Sequence, residues 1–205
     1  PVVIGSVEAG GGDGWLSGAS SVAVVPEDAR YVVVVAVGSN RLTLVDVSVG
    51  SSPSLVGSVS DGVSLAGGVD VAVRGGLAFV VSSSSNRLTV VSVSDPSSPS
   101  VVGSLSDGTR LAGASSVEVG SEHAYVAAPG FDGVAVVEYD ASSGSLAIVG
   151  SVSDAAGGLE GASNVVLSGS VLYVSSASSG SVAMVDVSNA GSPTVSEVMS
   201  GGAGL

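Results

Sequence analysis

A repeat of 46 to 48 residues limits what this chain can fold into more than any single residue does. Arg41-Leu-Thr-Leu-Val-Asp-Val-Ser48 returns as Arg87-Leu-Thr-Val-Val-Ser-Val-Ser94. More diverged copies are Gly133-Val-Ala-Val-Val-Glu-Tyr-Asp140 and Ser181-Val-Ala-Met-Val-Asp-Val-Ser188, so the starts are spaced by 46, 46 and 48 residues. A Leu-x-Gly marker keeps the same step at Leu16, Leu65, Leu111 and Leu159. A Val-Gly-Ser marker does so at Val56, Val102 and Val149, with Ile4-Gly5-Ser6 in front. Three markers recurring in one order describe a stacked-unit architecture, in which each unit buries its apolar face against a neighbour.

Within one period the pattern is β throughout. Residues 69–74 alternate, 77–82 are an apolar run ending in serine, and 87–93 and 99–105 alternate again. Valine dominates these runs, and β-branched side chains favour the pleated surface of a strand. Between them stand Arg74-Gly-Gly, Ser82-Ser-Ser-Ser-Asn86, Asp95-Pro-Ser-Ser-Pro99 and Ser106-Asp-Gly108, all of them turn chemistry. Four short strands per 40–50 residues is the spacing of a β-propeller blade. The expected fold is therefore all-β: one propeller domain over 1–205, with four recognisable four-stranded blades plus one extra outer-type strand. The blades are 9–60, 61–106, 107–153 and 154–200; the extra strand is 1–8 and the tail 201–205. The strands of a blade are called A to D from the axis outward.

The strand C and D text, Leu42-Thr-Leu-Val-Asp-Val-Ser48 and Leu88-Thr-Val-Val-Ser-Val-Ser-Asp-Pro96, resembles the LVIVD-repeat propellers of secreted and cell-surface proteins. The resemblance covers nearly the whole chain. It departs in blade three, where Glu138-Tyr-Asp140 replaces Asp-Val-Ser and Leu146 replaces the proline seen at Pro53 and Pro99. The resemblance implies a scaffold rather than a reaction.

Four A-B-C sets accompany five D-type segments, because both Pro1–Val7 and Pro193–Met199 read as D. Three explanations are open. The chain is part of a larger ring, or it closes alone with one strand idle, or the extra strand completes a sheet edge in a neighbouring molecule. The last has a physical motive, because exposed edges are normally blunted by lysine and other charges. This chain has no Lys, 11% charged residues and a mean hydropathy of +0.63.

Composition removes several classes of function. Five Arg face 18 acids, for a net charge of −13, which disfavours tracking along phosphates. With no Cys there are no disulfides and no thiol nucleophile. The longest apolar run, Tyr31–Val37, is far short of the roughly 20 residues of a membrane helix. No basic segment precedes an apolar one, so no signal peptide is expected.

Candidate sites are few. Asp61, Asp107 and Asp154 share one position after strand D, and Asp13 precedes the matching marker of blade one; together they are calcium candidates. Calcium takes six to eight oxygens, and Ser-Asp-Gly is also ordinary turn sequence. Asp46, Glu138 and Asp186 form a second acidic column, with Ser92 at the missing place. Arg41 and Arg87 open strand C, where ion pairs at the blade edge are expected. Ser52, Ser98 and Ser192 precede rim prolines and are O-linked glycosylation candidates. Trp15, the sole tryptophan, reads as packing on the first blade rather than a sugar platform. His123, the sole histidine, has no assignable nucleophile beside it. Asp70, Glu118 and Asn164 stand at similar places on strand A, where a metal-dependent propeller hydrolase would hold its ligands.

From these residues the chain is expected not to be an enzyme and to need no cofactor beyond calcium. The leading expectation is a structural subunit of an extracellular filament or surface layer, assembling with itself through edge strands and propeller–propeller contacts. The alternative is a monomeric glycan- or protein-binding module of a larger cell-surface protein. No nucleic-acid partner and no membrane span are expected.

Overall fold

Runs of valine separated by Gly, Ser, Asn and Asp turns leave the backbone little choice but short antiparallel strands. The computed structural model describes residues 6–7, 14–154 and 157–201. It contains four four-stranded antiparallel sheets, each made of consecutive strands in chain order. The expected β-propeller blades are these sheets. The chain divides into two compact units, residues 1–104 and 105–205.

The first unit holds blade one: β1 (Ala19–Val24), β2 (Tyr31–Ala36), β3 (Arg41–Asp46) and β4 (Ser54–Ser60). Blade two follows as β5 (Gly68–Arg74), β6 (Leu77–Ser82), β7 (Arg87–Ser92) and β8 (Ser100–Ser106), the unit boundary falling inside β8. The second unit holds blade three, β9 (Ser116–Val119), β10 (His123–Ala128), β11 (Gly133–Tyr139) and β12 (Leu146–Ser153). Blade four is β13 (Ala162–Ser168), β14 (Val171–Ser176), β15 (Ser181–Asp186) and β16 (Thr194–Ser200). Of the expected extra strand over 1–8, residues 1–5 and 8 lie outside the described residues, and Ser6 and Val7 belong to no strand. Asp13 and residues 202–205 of the tail also lie outside them.

The turn into the third strand of each blade needs a left-handed residue. Asn40, Asn86 and Asp132 take φ of 48°, 50° and 53°, and Gly180 takes 62° in blade four. Asn, Asp and Gly are the residues that tolerate this region. The same side chains reach the next blade: Asn40 Oδ1 accepts from the Gly67 amide at 3.3 Å, and Asp132 Oδ1 from the Gly161 amide at 2.8 Å. Threonine in the Leu-Thr pair is used likewise. Thr43 and Thr89 are fully buried, and their hydroxyls donate to the carbonyls of Trp15 and Ser64.

Within each unit the core lies between the two blades. In the first, Val33, Val35, Leu42 and Leu44 of blade one meet Leu65, Val71, Ala78 and Val80 of blade two. In the second, Tyr125, Ala127, Val134 and Val136 meet Leu159, Val165, Leu172 and Val174. Burying one such side chain stabilises by about 1.5–3 kcal/mol, so blade-on-blade contact is the main source of cohesion. Among the described residues no helix is long and apolar enough to cross a membrane.

Candidate functional site

The acidic loops after β4 and β8 are built around their own backbone. Asp61 Oδ1 accepts from the amides of Val63 and Ser64, both at 2.8 Å. Asp107 Oδ1 accepts from Thr109 at 2.9 Å and Arg110 at 2.8 Å, while its Oδ2 takes the Arg110 guanidinium at 2.8 Å. These bonds hold both carboxyls below the ordinary value of 3.8. The Ser64 and then Val63 amides act on Asp61, and the Arg110 and then Thr109 amides on Asp107. The carbonyls of Asp61, Asp107 and Asp154 accept from Leu65, Leu111 and Leu159, at 3.0, 3.1 and 3.0 Å. All three leucines are fully buried. The loop is thus a device for driving the marker leucine into the core. The oxygens that a calcium ion would need are already engaged, and an arginine sits on Asp107. Among the described residues no three His, Cys, Asp or Glu form a group that could hold a metal.

The other candidates also find local partners. Asp46 and Asp186 accept from the amides of Ser48 and Ser188, each at 2.8 Å. Glu138 of the same column pairs in register with His123 across β11 and β10. The expected ion pairs of Arg41 and Arg87 are replaced by hydroxyl contacts: Arg41 Nη1 donates to Ser58 at 2.6 Å, and Arg87 Nη1 to Ser104 at 3.0 Å. The guanidinium carbon of Arg41 lies 5.7 Å from the centre of the Trp15 ring and covers it, as packing requires. Ser52, Ser98 and Ser192 are exposed at one equivalent turn, their amides donating to Val49, Asp95 and Asn189. Such exposure is what an O-linked sugar would require.

The inner-strand column resolves into blade-to-blade bonds. Ser21 donates to Asp70 Oδ1 at 2.8 Å, and Ser116 donates to Asn164 Oδ1 at 2.7 Å. Asp70 and Asn164 are equivalent, opposite Val81 and Ser175, whereas Glu118 is two places further along, opposite Tyr125. The three do not share one register.

A feature that sequence reasoning passed over is the glycine of Val-Gly-Ser. A Cβ on Gly57 of β4 would meet the Pro96 carbonyl and the Ser97 carbonyl carbon, the latter at 2.9 Å. A Cβ on Gly150 of β12 would meet the Ala190 carbonyl, with Pro193 Cδ at 3.0 Å. In both units the third-to-fourth strand turn of one blade rests on the outer strand of the blade before it. Together with Ser20 donating to the Gly68 carbonyl at 2.9 Å and Ser115 to the Ser163 carbonyl at 2.8 Å, this makes a repeated docking geometry.

The face with which blade two meets blade one recurs on blade one, but there it is exposed. Val71 of β5 and Val165 of β13 are 6% and 2% exposed; their equivalent in β1, Val22, is 63% exposed, and Val24 is 53% exposed. Val49, on the turn before Pro53, is exposed as well. The candidate functional site is this apolar sheet face of blade one.

A family model for the LVIVD repeat matches residues 19–61, 68–107 and 161–200. The chain belongs to the LVIVD-repeat family. No curated protein matches the sequence of this LVIVD-repeat chain. Solved structures that it resembles include a candidate 6-phosphogluconolactonase from Bacteroides uniformis, at 14% identity and a TM-score of 0.74. That match covers 89% of this chain and 55% of the other. The periplasmic gluconolactonase PpgL of Pseudomonas aeruginosa matches at 16% identity and 0.71, over 88% and 53% of the two chains. Kuenenia stuttgartiensis hydrazine synthase matches at 18% and 0.69, over 95% and 52%. The LVIVD-repeat chain therefore spans about half the length of these proteins. The likeness is one of fold alone, yet it corrects the expectation that the chain is not an enzyme. Proteins described as lactonases use this blade architecture, so repeated blades and a lone histidine give no ground for excluding catalysis.

Proposed function

We propose that this LVIVD-repeat chain is an assembly scaffold of a secreted or cell-surface protein, and that its blade-one face takes a further four-stranded blade. The observation that carries this reading is the exposure of Val22, at a position buried in blades two and four. An exposed apolar face of this kind marks a contact surface. In the leading form the further blade belongs to a larger propeller, consistent with matched structures about twice as long. Such a propeller would hold its loop ends out to a protein or glycan.

The filament or surface-layer subunit is the second reading, and the same face favours it. Identical copies would be joined by propeller–propeller contact or by an edge strand from residues 1–7.

The test is a fusion that places a copy of residues 61–106, whose outer strand carries Gly103, ahead of residue 14. Amides of β1 and β2 are expected to become protected from hydrogen exchange, and the unfolding temperature to rise. Unchanged exchange in β1 would overturn the reading.

A further inference from the structure

The blade-docking reading leaves open which blade can sit on blade one, and the outer strand of blade four bears on that choice. Gly57 stands opposite Leu44, Gly150 opposite Val136, and Glu197 opposite Met184. Each pair lies beside the same irregularity in pairing, between Leu44 and Val45, Val136 and Val137, or Met184 and Val185. Glu197 therefore occupies the glycine position, with its side chain on the face where the next blade's turn would rest. At Gly57 and Gly150 even a Cβ meets a backbone carbonyl. A glutamate adds a full side chain and brings a negative carboxylate towards a carbonyl oxygen, so both shape and charge oppose contact. Val182, Tyr173 and Met199 around it are exposed, the last at 61%, which would otherwise invite stacking.

Resting on that reading, we infer that Glu197 closes blade four to a further LVIVD-type blade. A second copy of this chain consequently cannot seat its blade one on blade four in the geometry used inside each unit. The partner that fits the blade-one face is a blade whose outer strand carries glycine at the Gly57 position. Charge placed at a sheet face or edge is a general means of blocking unwanted pairing, and here it acts at one residue. It also removes the simplest route to a head-to-tail filament of identical copies.

Sedimentation velocity over a hundredfold range of concentration tests this. The wild-type chain should run as a monomer. Glu197→Gly should associate progressively, and Glu197→Gly combined with Val22→Asp should return to monomer. Wild-type association that Val22→Asp abolishes would overturn the inference. If Glu197→Gly stays monomeric while the 61–106 fusion protects β1, docking stands and the role of Glu197 falls. If neither responds, the docking reading falls with it. The converse substitution, Gly57→Glu, gives a second readout: it should expose β5 to hydrogen exchange, and unchanged protection there would also overturn the inference.

Discussion

At Gly57 a single added methyl would meet the backbone of Pro96 and Ser97, neither of which is a flexible side-chain tip that can swing aside. The cost falls on the contact between blades one and two, and overpacking of this kind typically costs about 1–3 kcal/mol. Gly62 is the matched control, since nothing lies within 4 Å of the place a methyl would take there. Urea unfolding should show Gly57→Ala destabilised by about 1–3 kcal/mol and Gly62→Ala neutral or slightly stabilised. Equal behaviour of the two would remove the docking role of the glycine. The marker glycine was visible in the sequence, and so was its replacement at Glu197. What it does was not, because the clash is with a turn some 40 residues away that only the blade stack brings near.

Strands and turns were legible because their causes are local. Alternating valines set the pleat, and Asn40, Asn86 and Asp132 stand where a left-handed turn is needed. The Leu-Thr-Leu run reads as a strand from sequence, whereas the burial of Thr43 depends on the loop carbonyl of Trp15. Register was harder. Asp70 and Asn164 align, but pairing irregularities at Gly68/Asp70 and Ala162/Asn164 shift their strands, and Glu118 of β9 falls two places away. The calcium candidates were legible as a column, yet the Asp61 and Asp107 carboxylates turn inward to their own loops. The turn between β11 and β12 shows the same habit at its strongest. The Ser142 hydroxyl and amide, then Ser143, hold the Asp140 carboxyl down to about 2, from an ordinary 3.8. A carboxyl depressed on folding contributes stability above its unfolded value and loses it as pH falls through the folded one. Asp140 should therefore help above about pH 4 and cease to help by about pH 2. Comparing wild type with Asp140→Asn across that window should show a shallower acid slope in the variant; identical slopes would contradict the assignment.

For the molecule as a whole, one arrangement serves both units: a marker leucine, a serine pair, an outer-strand glycine and an apolar sheet face, each meeting its counterpart on the next blade. Blade one presents that receiving face to solvent, and blade four carries glutamate where the glycine belongs. Blades one and four are therefore chemically different at these surfaces, and the scaffold role depends on the blade-one face being an unpartnered docking surface. Paired substitutions at equivalent residues test this most directly. Val22→Ala and Val71→Ala remove the same two methyl groups from the same strand position, so strand propensity cancels between them. Urea unfolding should show Val71→Ala destabilised by about 2 kcal/mol and Val22→Ala by no more than about 0.5 kcal/mol. Equal losses at the two positions would mean that the blade-one face is already covered, and would contradict the docking role.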